Sequence, residues 1–145
     1  MSELLNKDTV KRVEKSLKEF DVNLKVIVLE KTARTAKDAA NSLKCELGAI
    51  VKSLVFKAEE EFLVCLVSGD KRCSLNKLKK ILNKKDVAMA DADQVKLNTG
   101  FSIGGVAPTG HLKKLNIIID KSLSRFKYVY GAAGHPDCVF KINYS

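Results

Sequence analysis

A lysine interrupts an apolar run at "AIVKSLVF", where Lys52 is flanked by Ile50, Val51, Leu54 and Val55. Strand alternation puts Lys52 on the face of Ile50 and Leu54. Burying an unpaired ammonium costs several kcal/mol, so this side chain either snorkels to an edge or serves a site. A second candidate is "NTGFSIGGVAPTGH", positions 98–111, which holds Gly100, Gly104, Gly105 and Gly110, half of the chain's eight glycines, and Pro108, one of its two prolines. Gly104 and Gly105 can turn backbone N–H groups into a concave nest that holds an oxyanion or a carbonyl oxygen. The structural alternative is an Ω-loop with no ligand. A third candidate is "YGAAGHPDC", where His135 and Asp137 follow another glycine. There the alternative is a plain turn, since a histidine before proline often only shapes the backbone.

Several chemistries find no residues. No acidic pair, Ser-His-Asp set or Cys-His pair is evident. The glycine spacing fits neither a P-loop nor a dinucleotide fingerprint. Cys45, Cys65, Cys73 and Cys138 form no CxxC pair, which argues against a zinc site and against a disulfide framework. No metal or other cofactor is expected, and the thiols suit a reducing cytoplasm.

The elements that must position these residues follow from periodicity. Val10, Val13, Leu17 and Phe20 recur at helical spacing, so the first twenty residues read as one amphipathic helix, and "DVNLKVIVLE" as a strand. Thr35 and Asp38 open a helix whose stripe runs through Ala36, Ala39, Ala40, Leu43 and Leu47, with Gly48 closing it. "AIVKSLVFKA" and "EFLVCLVSG" flank a glutamate turn and predict a hairpin. Ser74 caps "LNKLKKILN", "VAMA" is a strand, and Asp91 caps "ADQVKLN". "NIIID", a helical turn opened by Asp120, and strands near "KYVYGAAG" and "CVFKI" complete the chain. Strands joined by short connections predict an α+β fold with a curved mixed or antiparallel sheet, partly barrel-like, flanked by helices.

At 145 residues, with 46% hydrophobic and 30% charged residues, the chain suits one globular domain. Its apolar runs are strand-sized, and the charged start has no apolar h-region, so neither a membrane span nor a secretory signal is expected. The net charge of +9 favours an anionic partner. Only Arg12, Arg34, Arg72 and Arg125 among its 26 basic residues are arginine, so solvated lysine faces account for the charge equally well.

Taken together, "TAKDAANSL", "GAIVKSLVFK", "VSGDKRCSLNKLKKIL", "LNTGFSIGGVAPTGH" and "YGAAGHPDCVFKI" resemble, in order, the YbaK/ProX family of aminoacyl-tRNA deacylases, known also as the editing domain inserted in bacterial prolyl-tRNA synthetases. The resemblance runs from about Thr35 to Ile142 within a single domain spanning 1–145. It implies that Lys52 is the family's strand lysine and that Gly104 to Pro108 is its G-x-x-x-P loop. His135 and Asp137 match a variant found in part of the family, and Ser53 stands where some relatives have Thr or Asn. The expected catalytic set is Lys52, Gly104 and Gly105, and the expected substrate-binding set is Ser53, Val106, Ala107, Pro108, His135 and Asp137.

The implied reaction is hydrolysis of a mischarged aminoacyl-tRNA, cysteinyl- or alanyl-tRNA(Pro) first, with the substrate's own ribose hydroxyl helping to activate water. The implied partners are the aminoacylated acceptor end and prolyl-tRNA synthetase. A non-catalytic tRNA-binding module of the same fold is the main rival. A Schiff-base lysine enzyme is the weaker one.

Overall fold

The hairpin expected around the glutamates forms with Glu59 and Glu60 as its turn: β2 (Val51–Ala58) and β3 (Glu61–Ser68) pair antiparallel from Ala58↔Glu61 to Val51↔Ser68. In the structure, a computed structural model that describes residues 2–29 and 35–143, this hairpin is the centre of a four-stranded sheet. Its order is β4-β2-β3-β5, with β4 at Val87–Met89 and β5 at Asn116–Ile119. β5 runs parallel to β3, so the sheet is mixed as expected. The second sheet, of order β1-β7-β6, is antiparallel and comprises Ile27–Val28, Cys138–Asn143 and Tyr128–His135. The fold class is α+β as read. The two sheets stay open, however, where a partly barrel-like closure was expected, and an isolated parallel bridge between Ile50 and Tyr130 joins them.

"FLVCLV" is apolar without alternation because both faces of β3 are covered. Val64 and Leu66 join Val51 and Val55 in the main core, against Val129, Ala133 and Phe140 of the second sheet and Val10, Val13 and Leu17 of α2 (Asp8–Phe20). Leu63, Cys65 and Val67 join Phe56 and Ala58 on the opposite face, under Leu78 of α4 (Leu75–Leu82). A third cluster sets Ala39 and Ala40 of α3 (Ala36–Leu43) against Ile50 and Val139; the alanines keep α3 close to the strands.

Caps place the helix starts where the side chains said. Thr35 accepts from Asp38 N–H, Ser74 from Lys77 N–H, and Asp91 with Gln94 forms a full capping box on α5 (Ala92–Thr99). Asp120 likewise opens the 3₁₀ turn Lys121–Arg125.

Some expectations are corrected. The first twenty residues make two helices, α1 (Ser2–Leu5) and α2, and Phe20 is 78% exposed because α2 ends there, with Asp21 as its C-cap. "DVNLKVIVLE" pairs only at Ile27 and Val28, and its last residue, Glu30, lies outside the described residues. α3 stops at Leu43, with Lys44 taking the left-handed cap at φ 57°; Gly48 sits later, in the 3₁₀ turn Leu47–Ala49, where an added Cβ would fall 2.8 Å from Phe126.

Candidate active site

β4 pairs with β2 only from Phe56 to Ala58. Among the described residues no strand covers that edge of β2 nearer its start, and a cavity of about 610 Å³ occupies the space. Its walls come from Ile50–Val55, from Tyr130–Ala132 of β6, from the start of α3, and from the segments around Gly104 and Pro136. The lining is mostly apolar, as small-molecule sites are.

Six of the nine residues picked from sequence line this space: Lys52, Ser53, Gly104, Val106, His135 and Asp137. Lys52 borders it from the strand edge, with its ammonium donating to the Lys71 carbonyl at 2.5 Å. That carbonyl lies in the loop after β3, beside Asp70, whose carboxylate accepts two hydrogen bonds from Arg125 at 3.1 and 2.8 Å. The Arg125 hydrogen bonds, with a lesser one from Ser68, hold the Asp70 carboxyl down at about 2. Ser53 presents a different problem. Its Oγ is inaccessible to solvent and has no hydrogen-bond partner among the described residues. An unmet buried hydroxyl costs about 1–3 kcal/mol, and such an exception asks for an explanation.

Gly104 has φ +89° and is exposed; a Cβ there would meet nothing nearer than Pro136 Cγ at 3.6 Å. The glycine therefore supplies a left-handed turn and a bare wall, not relief from crowding. His135 Nδ1 accepts from Asp137 N–H at 3.0 Å, which leaves the neutral ring's proton on Nε2. The two residues close the β6–β7 turn, in which His135 pairs with Cys138.

Gly105, Ala107 and Pro108 stand behind the wall. Gly105 N–H is spent on Ser102 O at 2.9 Å, and its carbonyl accepts from Gly134 N–H at 3.1 Å. Ala107 is fully buried, and its carbonyl takes the Nε2 of His111 at 2.7 Å. Burial lowers the His111 pKa, so that ring is neutral and donates. Pro108 packs toward Gly131, where its Cγ would lie 3.1 Å from an added Cβ.

Met89, Ala90, Val95, Ile103 and Tyr130 also line the cavity, and sequence reasoning did not select them. Met89 and Ile103 are each 61% exposed; exposed apolar side chains at a cavity mouth are a signal only once the fold is known. The four cysteines are free, Cys65 and Cys73 lying 3.7 Å apart. Burial, with Cys73 beside it, pushes the Cys65 thiol up to about 12, so it is not a nucleophile. No helix among the described residues is long and apolar enough to cross a membrane.

Residues 30–145 match the family described as aminoacyl-tRNA editing domain. The proline–tRNA ligase of Thermosipho africanus is 35% identical over 94 residues, which cover 65% of this chain and 17% of the ligase. The chain therefore spans about a sixth of that curated relative. Bacillus subtilis YwhH is 32% identical over 110 residues, covering 75% of this chain and 69% of that protein. Among solved structures, a candidate trans-editing enzyme for prolyl tRNA synthetase superposes with a TM-score of 0.89 at 36% identity, covering 94% of this chain and 87% of the other.

Proposed function

Because the chain belongs to the aminoacyl-tRNA editing domain family, we propose that it is a hydrolase that removes a wrongly attached amino acid from tRNA. The observation that carries this reading is the shared cavity: Lys52, Ser53, Gly104, Val106, His135 and Asp137 line it although they come from three separate stretches of the chain. The substrate is an ester between an amino acid and the ribose of the terminal adenosine. Water adds to the ester carbon, the carbonyl oxygen becomes an oxyanion, and collapse expels the ribose oxygen, which takes up a proton.

In this reading the oxyanion is held by main-chain N–H groups. Gly105 N–H already serves the loop, so the donors are those of Gly104 and Val106, and Gly105 keeps the loop in shape. Lys52 is a positioning cation. Its bond to a neutral carbonyl, the one it makes among the described residues, leaves further N–H donors for the terminal phosphate or the ribose. Ser53 Oγ, sealed from solvent in the free protein, supplies a hydrogen bond at the acyl end by rotating about its side-chain bond, and His135 with Asp137 forms the polar corner that meets the ribose. Water is activated with the help of the substrate's own ribose hydroxyl, which fits a cavity whose walls are mostly apolar.

For the amino acid removed, the apolar lining from Val51, Val55, Val95 and Val106 favours a small uncharged side chain. The similarity to proline–tRNA ligases supports tRNA(Pro) as the carrier, so alanyl- and cysteinyl-tRNA(Pro) are the first substrates to try. The acceptor end is the partner surface, and prolyl-tRNA synthetase is the second candidate partner. The cytoplasm, where aminoacylation takes place, is the proposed compartment.

The test is release of free amino acid from purified alanyl-, cysteinyl- and prolyl-tRNA(Pro). Turnover of either of the first two with prolyl-tRNA(Pro) spared is the expected result. Salt-sensitive tRNA binding without any release would overturn the enzyme reading in favour of a binding module.

A further inference from the structure

The glycine-rich loop is closed at its base by two main-chain bonds, Leu112 N–H to Thr99 O at 3.1 Å and Lys113 N–H to Asn98 O at 3.2 Å. Much of what else holds it comes from α2. Arg12 Nε donates to Gly110 O at 2.6 Å and Arg12 Nη2 to Thr99 O at 3.0 Å, so one guanidinium spans the two ends of the stretch that carries Gly104. The same guanidinium lies 4.4 Å from the centre of the fully buried Phe101 ring. One turn later, Ser16 and Thr109 share a hydroxyl hydrogen bond at 2.5 Å. One turn earlier, the Thr9 carbonyl would sit 2.6 Å from a Cβ on Gly134, the residue whose N–H holds Gly105 O. Thr9, Arg12 and Ser16 follow helical spacing and make one face. That face lies outside the residues matched by the family.

We propose that Arg12 is a positioning residue for the hydrolysis, fixing the Gly104–Val106 backbone so that its N–H groups keep their aim at the developing oxyanion. The inference rests on the deacylase reading above. Arg12 does not line the cavity; it acts through the loop. The role needs the planar fork of arginine, because the two carbonyls are taken by different nitrogens of one rigid group. A lysine ammonium keeps the charge but loses that geometry.

The test pairs kinetics with amide exchange on the full chain, using alanyl-tRNA(Pro) as the probe and the variants Arg12→Lys and Arg12→Met. Oxyanion contacts strengthen in the transition state, so kcat should fall about tenfold or more in both variants while KM stays within about twofold. Exchange of the Gly104 and Val106 amides should quicken about tenfold, with β2 and β3 still protected. Unchanged loop exchange and unchanged kcat in both variants would overturn the proposal. So would a fall in kcat matched by loss of protection across β2 and β3, since that reports general unfolding. Wild-type protein that turns over none of the charged tRNAs strikes the deacylase reading instead, and the exchange data then decide alone whether Arg12 holds the loop.

Discussion

Lys52 and Ser53 are chain neighbours that serve opposite faces of the central sheet. Ser53 alternates with Val51 and Val55 of the main core, while Lys52 alternates with Leu54 and Phe56 on the α4 side. Both border the same cavity because it lies against the uncovered edge of β2. Two neighbouring residues thus border one space from different faces of the strand.

Replacing Lys52 with Ala should lower kcat/KM for alanyl-tRNA(Pro) about 100-fold, because substrate would no longer be held in register. The bond it forfeits, to Lys71 O, is exposed and contributes only about 1 kcal/mol. Melting should therefore change little. A melt that collapses with the activity would make Lys52 a structural residue.

Ser53→Ala should move stability and activity in opposite directions. Removing a buried hydroxyl that has no partner among the described residues relieves roughly 1 kcal/mol and raises the denaturation midpoint. The same change should cut kcat/KM about tenfold by deleting a contact at the acyl end. Loss of stability would show that the hydroxyl has a partner in solution.

Gly104→Ala tests the wall itself. Space is available, but φ +89° is strained for any side chain, so the cost is about 1–2 kcal/mol. Activity should fall far more than that figure implies, about 100-fold, because the methyl group intrudes where the ester must approach. Assays at a temperature well below the melting transition separate the two effects.

Acid sensitivity follows from Asp70. Its carboxyl stands at about 2 in the folded protein against an ordinary 3.8, so the native state binds fewer protons than the unfolded chain in this range. The stabilisation it supplies is complete well above 3.8, shrinks as the pH falls through that window, and is gone below about 2. Melting curves of wild type and Asp70→Asn should therefore differ near neutrality and converge toward pH 2. A gap of constant size across that range would remove Asp70 from the acid response.

What was legible in the sequence was local or covalently close. The turn at Glu59–Glu60, the caps at Thr35, Ser74 and Asp91, and the opening at Asp120 each depend on a few consecutive residues, and all stand where they were read. What depends on distant partners was not legible. Gly48 reads as a helix stop, yet its neighbours are Phe126, Arg125 and Asp70. Gly105 reads as half of a ligand-binding nest, yet its amide closes a turn with Ser102. Met89 carries no motif, and it lines the cavity only because β4 ends beside it. Arg12 looks like any exposed helical charge until the loop is folded beneath it.

The bridge between Ile50 and Tyr130 has a mechanical consequence. The jaws of the cavity belong to different sheets, and at that junction side-chain packing ties them where a full ladder is missing. Ile50 and Val139 pack in one cluster there, so the spacing of the two sheets at the cavity rests on aliphatic contact more than on main-chain bonds. On the proposed function, trimming Ile50 to Val at that junction should let a larger amino acid be removed without altering the reaction.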